Sequence, residues 1–138
     1  MMKISEVMTR DVQTARPEQT LREVANMMAS IDSGAILVNN EDRLVGMITD
    51  RDIVIRAVAK GQSCDMPISS VMSSDIRYCF DDQEVGEVAR NMADIQLRRL
   101  PVVNRQKRLV GVVSLGNIVK AHDRDANSTV LQGVAKAH

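Results

Sequence analysis

The chain has 138 residues, enough for one ordinary domain or two very small ones. Its 18 basic and 18 acidic side chains cancel, and no block of like charge stands out, so no charge field is available to draw DNA or RNA. One Tyr, one Phe and no Trp leave an aliphatic core built from Val, Ile, Leu, Ala and nine Met, and remove the stacking platforms of single-stranded nucleic-acid binders.

In chain order, Ile4-Ser5-Glu6-Val7-Met8 opens the sequence, and Asp11-Val12-Gln13-Thr14 reads as a short extended segment ended by Arg16-Pro17. Thr20-Leu21-Arg22-Glu23 is a capping box that starts a helix. Leu21, Val24, Ala25, Met28 and Ile31 then form one apolar stripe, and Ser33-Gly34 ends the helix. Ala35-Ile36-Leu37-Val38 is a buried strand, Asn39 to Asp42 a polar turn, and Arg43-Leu44-Val45-Gly46-Met47-Ile48-Thr49 the returning strand of a hairpin. Asp50 opens a second helix running to about Lys60, with Ile53, Val54, Ala57 and Val58 expected inward.

The same order then returns. Ile68-Ser69-Ser70-Val71-Met72 repeats the opening, and Arg108-Leu109-Val110-Gly111-Val112-Val113-Ser114 repeats the returning strand, with one residue inserted between the copies. Val85, Val88, Ala89, Met92 and Ile95 form the helix stripe, Leu100-Pro101-Val102-Val103 the strand, and Ile118 and Val119 lie on the last helix. The expected organisation is a first repeat over 1–60, a linker over 61–67, a second repeat over 68–120 and a polar tail over 121–138, either helical or disordered. Each copy is strand, helix, strand, strand, helix, which makes the chain α+β. A unit of about 60 residues is marginal alone, so the two copies are expected to share a core.

Two positions carry chemistry. Gly46-Met47-Ile48-Thr49-Asp50-Arg51-Asp52 and its counterpart Gly111 to Asn117 put a hydroxyl where a strand ends and a helix begins, with a carboxylate or amide three residues on. A helix start favours phosphate, and a carboxylate accepts hydrogen bonds from a ribose diol. Ordinary helix capping uses the same residues at the same spacing. Arg98-Arg99, just before Leu100-Pro101, offers a planar fork suited to phosphate or, equally, a solvated strand edge; the first copy has Gly34-Ala35 there.

Catalysis finds little support. His122 and His138 lie in the tail, and the sequence contains no Ser/His/Asp set, HExxH or phosphate-binding glycine loop. Cys64 and Cys79 have no metal-binding spacing, and Met1-Met2-Lys3-Ile4-Ser5 lacks a signal-peptide apolar run, so free thiols in a reduced cytoplasm are expected. No segment approaches the ~20 apolar residues of a membrane span.

Val7-Met8, Val71-Met72, Leu100-Pro101-Val102-Val103 and above all Leu44 to Ile53 resemble the CBS domain family in its tandem form, the Bateman module, over roughly residues 3–120. The resemblance implies a pair of β-α-β-β-α units related by pseudo-twofold symmetry, with sheets packed together and two clefts between the units. It implies a regulatory module without catalysis or metal that needs no cofactor. Its clefts would take AMP, ADP or ATP, or another adenosyl compound such as S-adenosylmethionine or NAD. A homodimer and a regulated protein partner are also implied. Carried over, Thr49 and Asp52 match the family's ribose and phosphate positions in the first repeat, and Ser114 and Asn117 in the second, where the family more often has an acid. Arg99 matches an arginine that contacts phosphate, and Arg98 stands where the family often has His. Thr14, Ala15, Tyr78 and Cys79 match segments lining the clefts. Ala35, Ile36, Leu37, Leu100 and Pro101 match strand starts that meet adenine through backbone and apolar atoms. The cleft of Thr49 and Asp52, with Arg99 supplying charge, is expected to be the better site. The other reading is a structural or partner-binding module with vestigial clefts.

Overall fold

A computed structural model describes residues 2–125. It is α+β, with two three-stranded sheets. The elements are β1 (Thr14–Ala15), α1 (Leu21–Ile31), β2 (Ala35–Asn40), β3 (Arg43–Thr49), α2 (Asp50–Ile53, continued by a π-helical stretch Val54–Val58), β4 (Cys79–Phe80), α3 (Val85–Ile95), β5 (Arg99–Val103), β6 (Leu109–Ser114) and α4 (Leu115–Asp125). The strands run in the order β1-β2-β3 in one sheet and β4-β5-β6 in the other. In each, the first pair is parallel and the second antiparallel.

The chain divides into two compact units that do not follow the order of the repeats. One, the first unit, is Gln13–Ile76; the second unit joins residues 2–12 to 77–125. The opening segment of each repeat is therefore built into the unit that carries the other repeat's sheet. In the second unit, Ile4 N–H donates to the Gln83 carbonyl (2.9 Å), and Thr9 exchanges both backbone hydrogen bonds with Val112 on β6 (2.8 and 2.9 Å). In the first unit, Ile68 N–H donates to Gln19 (2.8 Å), and Ser73 exchanges both bonds with Met47 on β3 (2.8 Å each). Ile4 and Ile68 are fully buried, each at the centre of its own unit's core.

Two glycines make this strap possible. A Cβ built on Gly111 would lie 2.6 Å from the Thr9 carbonyl oxygen, and one on Gly46 would lie 2.8 Å from Met72 Sδ and 2.9 Å from the Ser73 oxygen. A real side chain cannot approach a backbone so closely, and this is a recurrent use of strand glycine.

The segment 61–67, expected to be a plain linker, is tied to a helix start. Leu21 and Arg22, the first two residues of α1, donate their N–H groups to the carbonyls of Met66 (3.1 Å) and Cys64 (3.0 Å). These are donors that no helix can satisfy internally. Met2 does the same for Val85 at the start of α3 (2.9 Å). At the other end, α4 continues through Asp125, so Ala121 lies in the helix and is buried. The rest of the expected tail, including His138, lies outside the described residues.

Half of the predicted capping box of α1 forms, with Thr20 Oγ1 accepting from Glu23 N–H at 3.1 Å, whereas Glu23 Oε1 accepts from the Thr20 hydroxyl (3.2 Å). Leu21, Val24 and Met28 are buried as expected, whereas Ala25 is exposed and Ile31 lies at the exposed margin. A three-stranded sheet covers a narrower stripe than the sequence pattern offers. The second helix departs further. Ala57 is 1% exposed and Ile53 partly buried, but Val54 and Val58, expected inward, are 54% and 65% exposed. Each sits one residue beyond the Ile53–Ala57 seam, about 100° around the axis. The π turn, in which Ala59 N–H donates five residues back to Val54 (2.9 Å), holds them there.

Candidate functional site

In both units, the predicted residues gather where one strand starts, its hairpin partner ends and a helix begins. In the first unit, Ala35 pairs directly with Thr49, and Thr14 on the parallel neighbour pairs with Leu37. In the second, Arg99 pairs with Ser114, Pro101 with Val112, and Cys79 with Val102. Each junction is closed by one backbone bond, from Asp50 N–H to the Gly34 carbonyl and from Leu115 N–H to the Arg98 carbonyl (2.9 Å each). A Cβ on Gly34 would meet Asp50 Oδ2 at 2.8 Å, so any larger residue there would have to displace the exposed Asp50 side chain. The second unit has Leu115 in place of Asp50, and there Arg98 is accommodated.

Thr49 and Asp52 form a reciprocal capping box. Asp52 N–H donates to Thr49 Oγ1 (3.0 Å), and Thr49 N–H donates to Asp52 Oδ2 (2.9 Å). The other carboxylate oxygen, Oδ1, lies 3.9 Å from Arg56 Nε, one helical turn on. That is an ion-pair distance but longer than a hydrogen bond, so Oδ1 keeps acceptor capacity. The Asp52 side chain is 16% exposed, reachable but largely dry.

The second unit closes the same box with an amide. Asn117 Oδ1 accepts from both Ser114 N–H (2.8 Å) and Ser114 Oγ–H (2.9 Å), and Asn117 N–H donates to Ser114 Oγ (3.2 Å). The carbonyl half of the amide is used in full, and the NH2 remains to donate. Asn117 also lines an open cleft of about 430 Å³ with Glu6, Val7, Lys120 and Asp123. Sequence reasoning did not reach these neighbours. Lys120 stands one helical turn from Asn117, a signal that was legible, but Glu6 and Val7 arrive from the chain's opening segment, which no local pattern reveals.

Ala15, Ile36, Leu37, Leu100 and Pro101 are buried, so only backbone atoms and flanks of these residues are available to a ligand; Thr14 is partly buried, and Ala35, Tyr78, Arg98 and Arg99 are exposed. Burial, and secondarily the charge of Asp81, pushes the Cys79 thiol up to about 12, which makes it a core residue and not a nucleophile. Tyr78 and Phe80 are the chain's only two aromatics and pack edge to face at 5.7 Å. Arg105 lies 4.0 Å from the Phe80 ring centre and forks onto Asp82 at 2.7 and 2.8 Å. Among the described residues, no three His, Cys, Asp or Glu side chains gather to hold a metal ion, and no helix is long and apolar enough to cross a membrane.

A sheet-helix junction built twice, with hydroxyl and carboxylate in one copy and hydroxyl and amide in the other, defines a tandem-repeat α+β module. The chain belongs to the CBS domain family, whose model matches residues 4–58 and again 68–124. The CBS domain-containing protein YhcV of Bacillus subtilis is 39% identical over 118 residues, 86% of this chain and 84% of that protein. The crystal structure of Hypoxic Response Protein I with two coordinated zinc ions matches with a TM-score of 0.76 at 32% identity, over 88% of this chain and 99% of the other. That of CBSX2 in complex with AMP matches at 0.78 over 92% of this chain and all of the other, and its 19% identity speaks to the fold alone.

Proposed function

We propose that the protein is a regulatory adenine-nucleotide-binding module without catalytic activity, acting in the cytoplasm, with Thr49 and Asp52 at its better site. The observation that carries this reading is the junction of the first unit. Asp52 meets its capping duty with Oδ2 and retains Oδ1, an ionised acceptor in a largely dry position. A charge-assisted hydrogen bond from a ribose hydroxyl is stronger there than one to a neutral amide. Thr14 and Ala35 present small side chains at the same sheet end, leaving room for a base against backbone. The resemblance assigns phosphate to Arg99, which is exposed. Membership of a family in which CBSX2 has been crystallised with AMP supports the choice of ligand class. In the second unit, Asn117 presents donors where Asp52 presents an acceptor, so its affinity for a diol is expected to be lower.

One observation favours the second reading, a structural or partner-binding module: in both units, the hydroxyl oxygen already serves as a helix cap, accepting from the backbone N–H three residues on. A thermal-shift panel of AMP, ADP, ATP, S-adenosylmethionine and NAD separates the two. A ligand at 100 times its dissociation constant adds about 2.7 kcal/mol of stability. A shift with any adenosyl compound, absent with guanosine analogues, supports nucleotide binding. No shift with the whole panel leaves the structural reading standing.

A further inference from the structure

In each unit, the strap and the helix that follows the capping box flank one groove, and the two copies treat it differently. In the first unit, Arg56 bridges it: Nη1 donates to the Val71 carbonyl on the strap (3.3 Å), and Nε stands 3.9 Å from Asp52 Oδ1 on the helix. By the repeated capping motif and opening segment, Asp52 corresponds to Asn117, Arg56 to Ala121 and Val71 to Val7. The π turn contributes to this placement. It carries Ala57 into the core, as deep as Ala121 in the regular helix α4, and leaves Arg56 for the groove. In the second unit, Asn117 and Val7 line the open cleft of about 430 Å³. Its other lining residues are Glu6, Lys120 and Asp123, whose counterparts are Ser70, Ile55 and Val58. Two additional carboxylates therefore stand in the copy whose helix has alanine in place of arginine.

We propose that the cleft of the second unit binds a small guanidinium acid of the arginine class. The first unit shows the chemistry this groove accepts: a guanidinium set between a strap carbonyl and a carboxylate. Asn117 cannot supply the carboxylate, and its Oδ1 is taken up by Ser114. Glu6 can, because only its Oε2 caps the Lys3 N–H (2.7 Å), and Asp123 adds a second. Charge-assisted bonds of this kind are the strong ones. The remaining groups select the other end of the ligand. Lys120 brings a positive charge and the Asn117 NH2 a donor, and both match a carboxylate. Glu6, Asp123 and Lys120 together leave one negative charge, which complements the single positive charge of arginine. A plain polyamine would set like charge against Lys120, and a nucleotide would set its phosphate against Glu6 and Asp123. The volume stands near the small end of ligand pockets, roughly 300–1,000 Å³, and suits a molecule of amino-acid size. The inference needs no nucleotide at either capping box.

Calorimetric titration of L-arginine into the full chain, at low ionic strength and without nucleotide, tests it. The wild type is expected to bind arginine saturably at a single site. L-Citrulline, which has a neutral ureido group in place of the guanidinium, and agmatine, which lacks the carboxylate, are each expected to bind at least tenfold more weakly. Glu6→Gln combined with Asp123→Asn is expected to weaken arginine at least tenfold, and Asp52→Asn to leave it unchanged. Both acids are exposed and both substitutions keep a side-chain oxygen, so folding stays intact, which circular dichroism verifies. No saturable heat from the wild type, equal binding of citrulline or agmatine, or binding that survives the double variant overturns the proposal. Loss of binding in Asp52→Asn overturns it equally, since that result places the ligand in the first unit.

Discussion

The helix that follows Thr49 and the helix that follows Ser114 begin identically and are used differently. Both are capped by a hydroxyl and a side-chain oxygen three residues on, and both follow a strand whose glycine admits a backbone strap. Beyond the cap they diverge. The first unit has an acid in the box and an apolar outer face, whereas the second has an amide in the box and a charged outer face that lines an open cleft. What the fold needs is kept in both copies. What differs is therefore free of the fold's demands, and that is where ligand and partner chemistry is to be sought.

The largest effects come from breaking what the units share. Ile4→Ala and Ile68→Ala remove fully buried side chains from the two straps, and each is expected to cost about 2–5 kcal/mol in urea unfolding. Losses differing by more than about 2 kcal/mol would show that the straps are not equivalent. Gly111→Ala and Gly46→Ala come next, at about 1–3 kcal/mol for overpacking. Gly111→Ala should be the worse, because its obstacle at 2.6 Å is backbone, whereas the nearest obstacle to Gly46 is a flexible Met side chain. Equal costs would mean that the Thr9 segment yields as readily as Met72.

Smaller effects separate the helix ends. Asp32 after α1 and Gln96 after α3 both adopt left-handed backbone, with φ of 53° and 56°. Gln96→Gly is expected to raise stability by up to about 1 kcal/mol and Asp32→Gly by less, because a short acidic side chain tolerates this conformation better. Melting temperatures of the two variants check the order. Cys79 gives the smallest effect, confined to high pH. Its folded pKa of about 12 exceeds the unfolded value of 9.0, so the unfolded chain ionises first. Stability from this thiol is complete below pH 9.0 and is lost as pH rises towards 12. Cys79→Ser should flatten that decline, and in the native protein an alkylating reagent at pH 8 should label exposed Cys64 and spare Cys79.

Much of this architecture was legible in the residues. Thr20 with Glu23 announced α1, and the doubled strand around Gly46 and Gly111 announced both hairpins. The capping motifs located the two strand–helix junctions. Two things were hidden. Val54 and Val58 looked inward because helical spacing gives a stripe without its width, and the width depends on how much sheet lies beneath. Glu6 and Val7 could not be joined to Asn117, because the strap that carries them crosses to the other repeat's sheet. Gly46 and Gly111 bore that information as residues without side chains, open to a ligand or to another chain segment; in this protein it is a segment.

The comparison between the two capping boxes is also the most direct test of function. Asp52→Asn makes the first box chemically like the second while keeping an oxygen for the cap, and Asn117→Asp does the reverse. Calorimetric titration of AMP and ATP into the wild type and both variants is the measurement. Binding by the wild type, weakened at least tenfold by Asp52→Asn and strengthened or doubled in stoichiometry by Asn117→Asp, is the result expected. Unchanged affinity in Asp52→Asn, or no heat from the wild type with either nucleotide, would contradict the assignment.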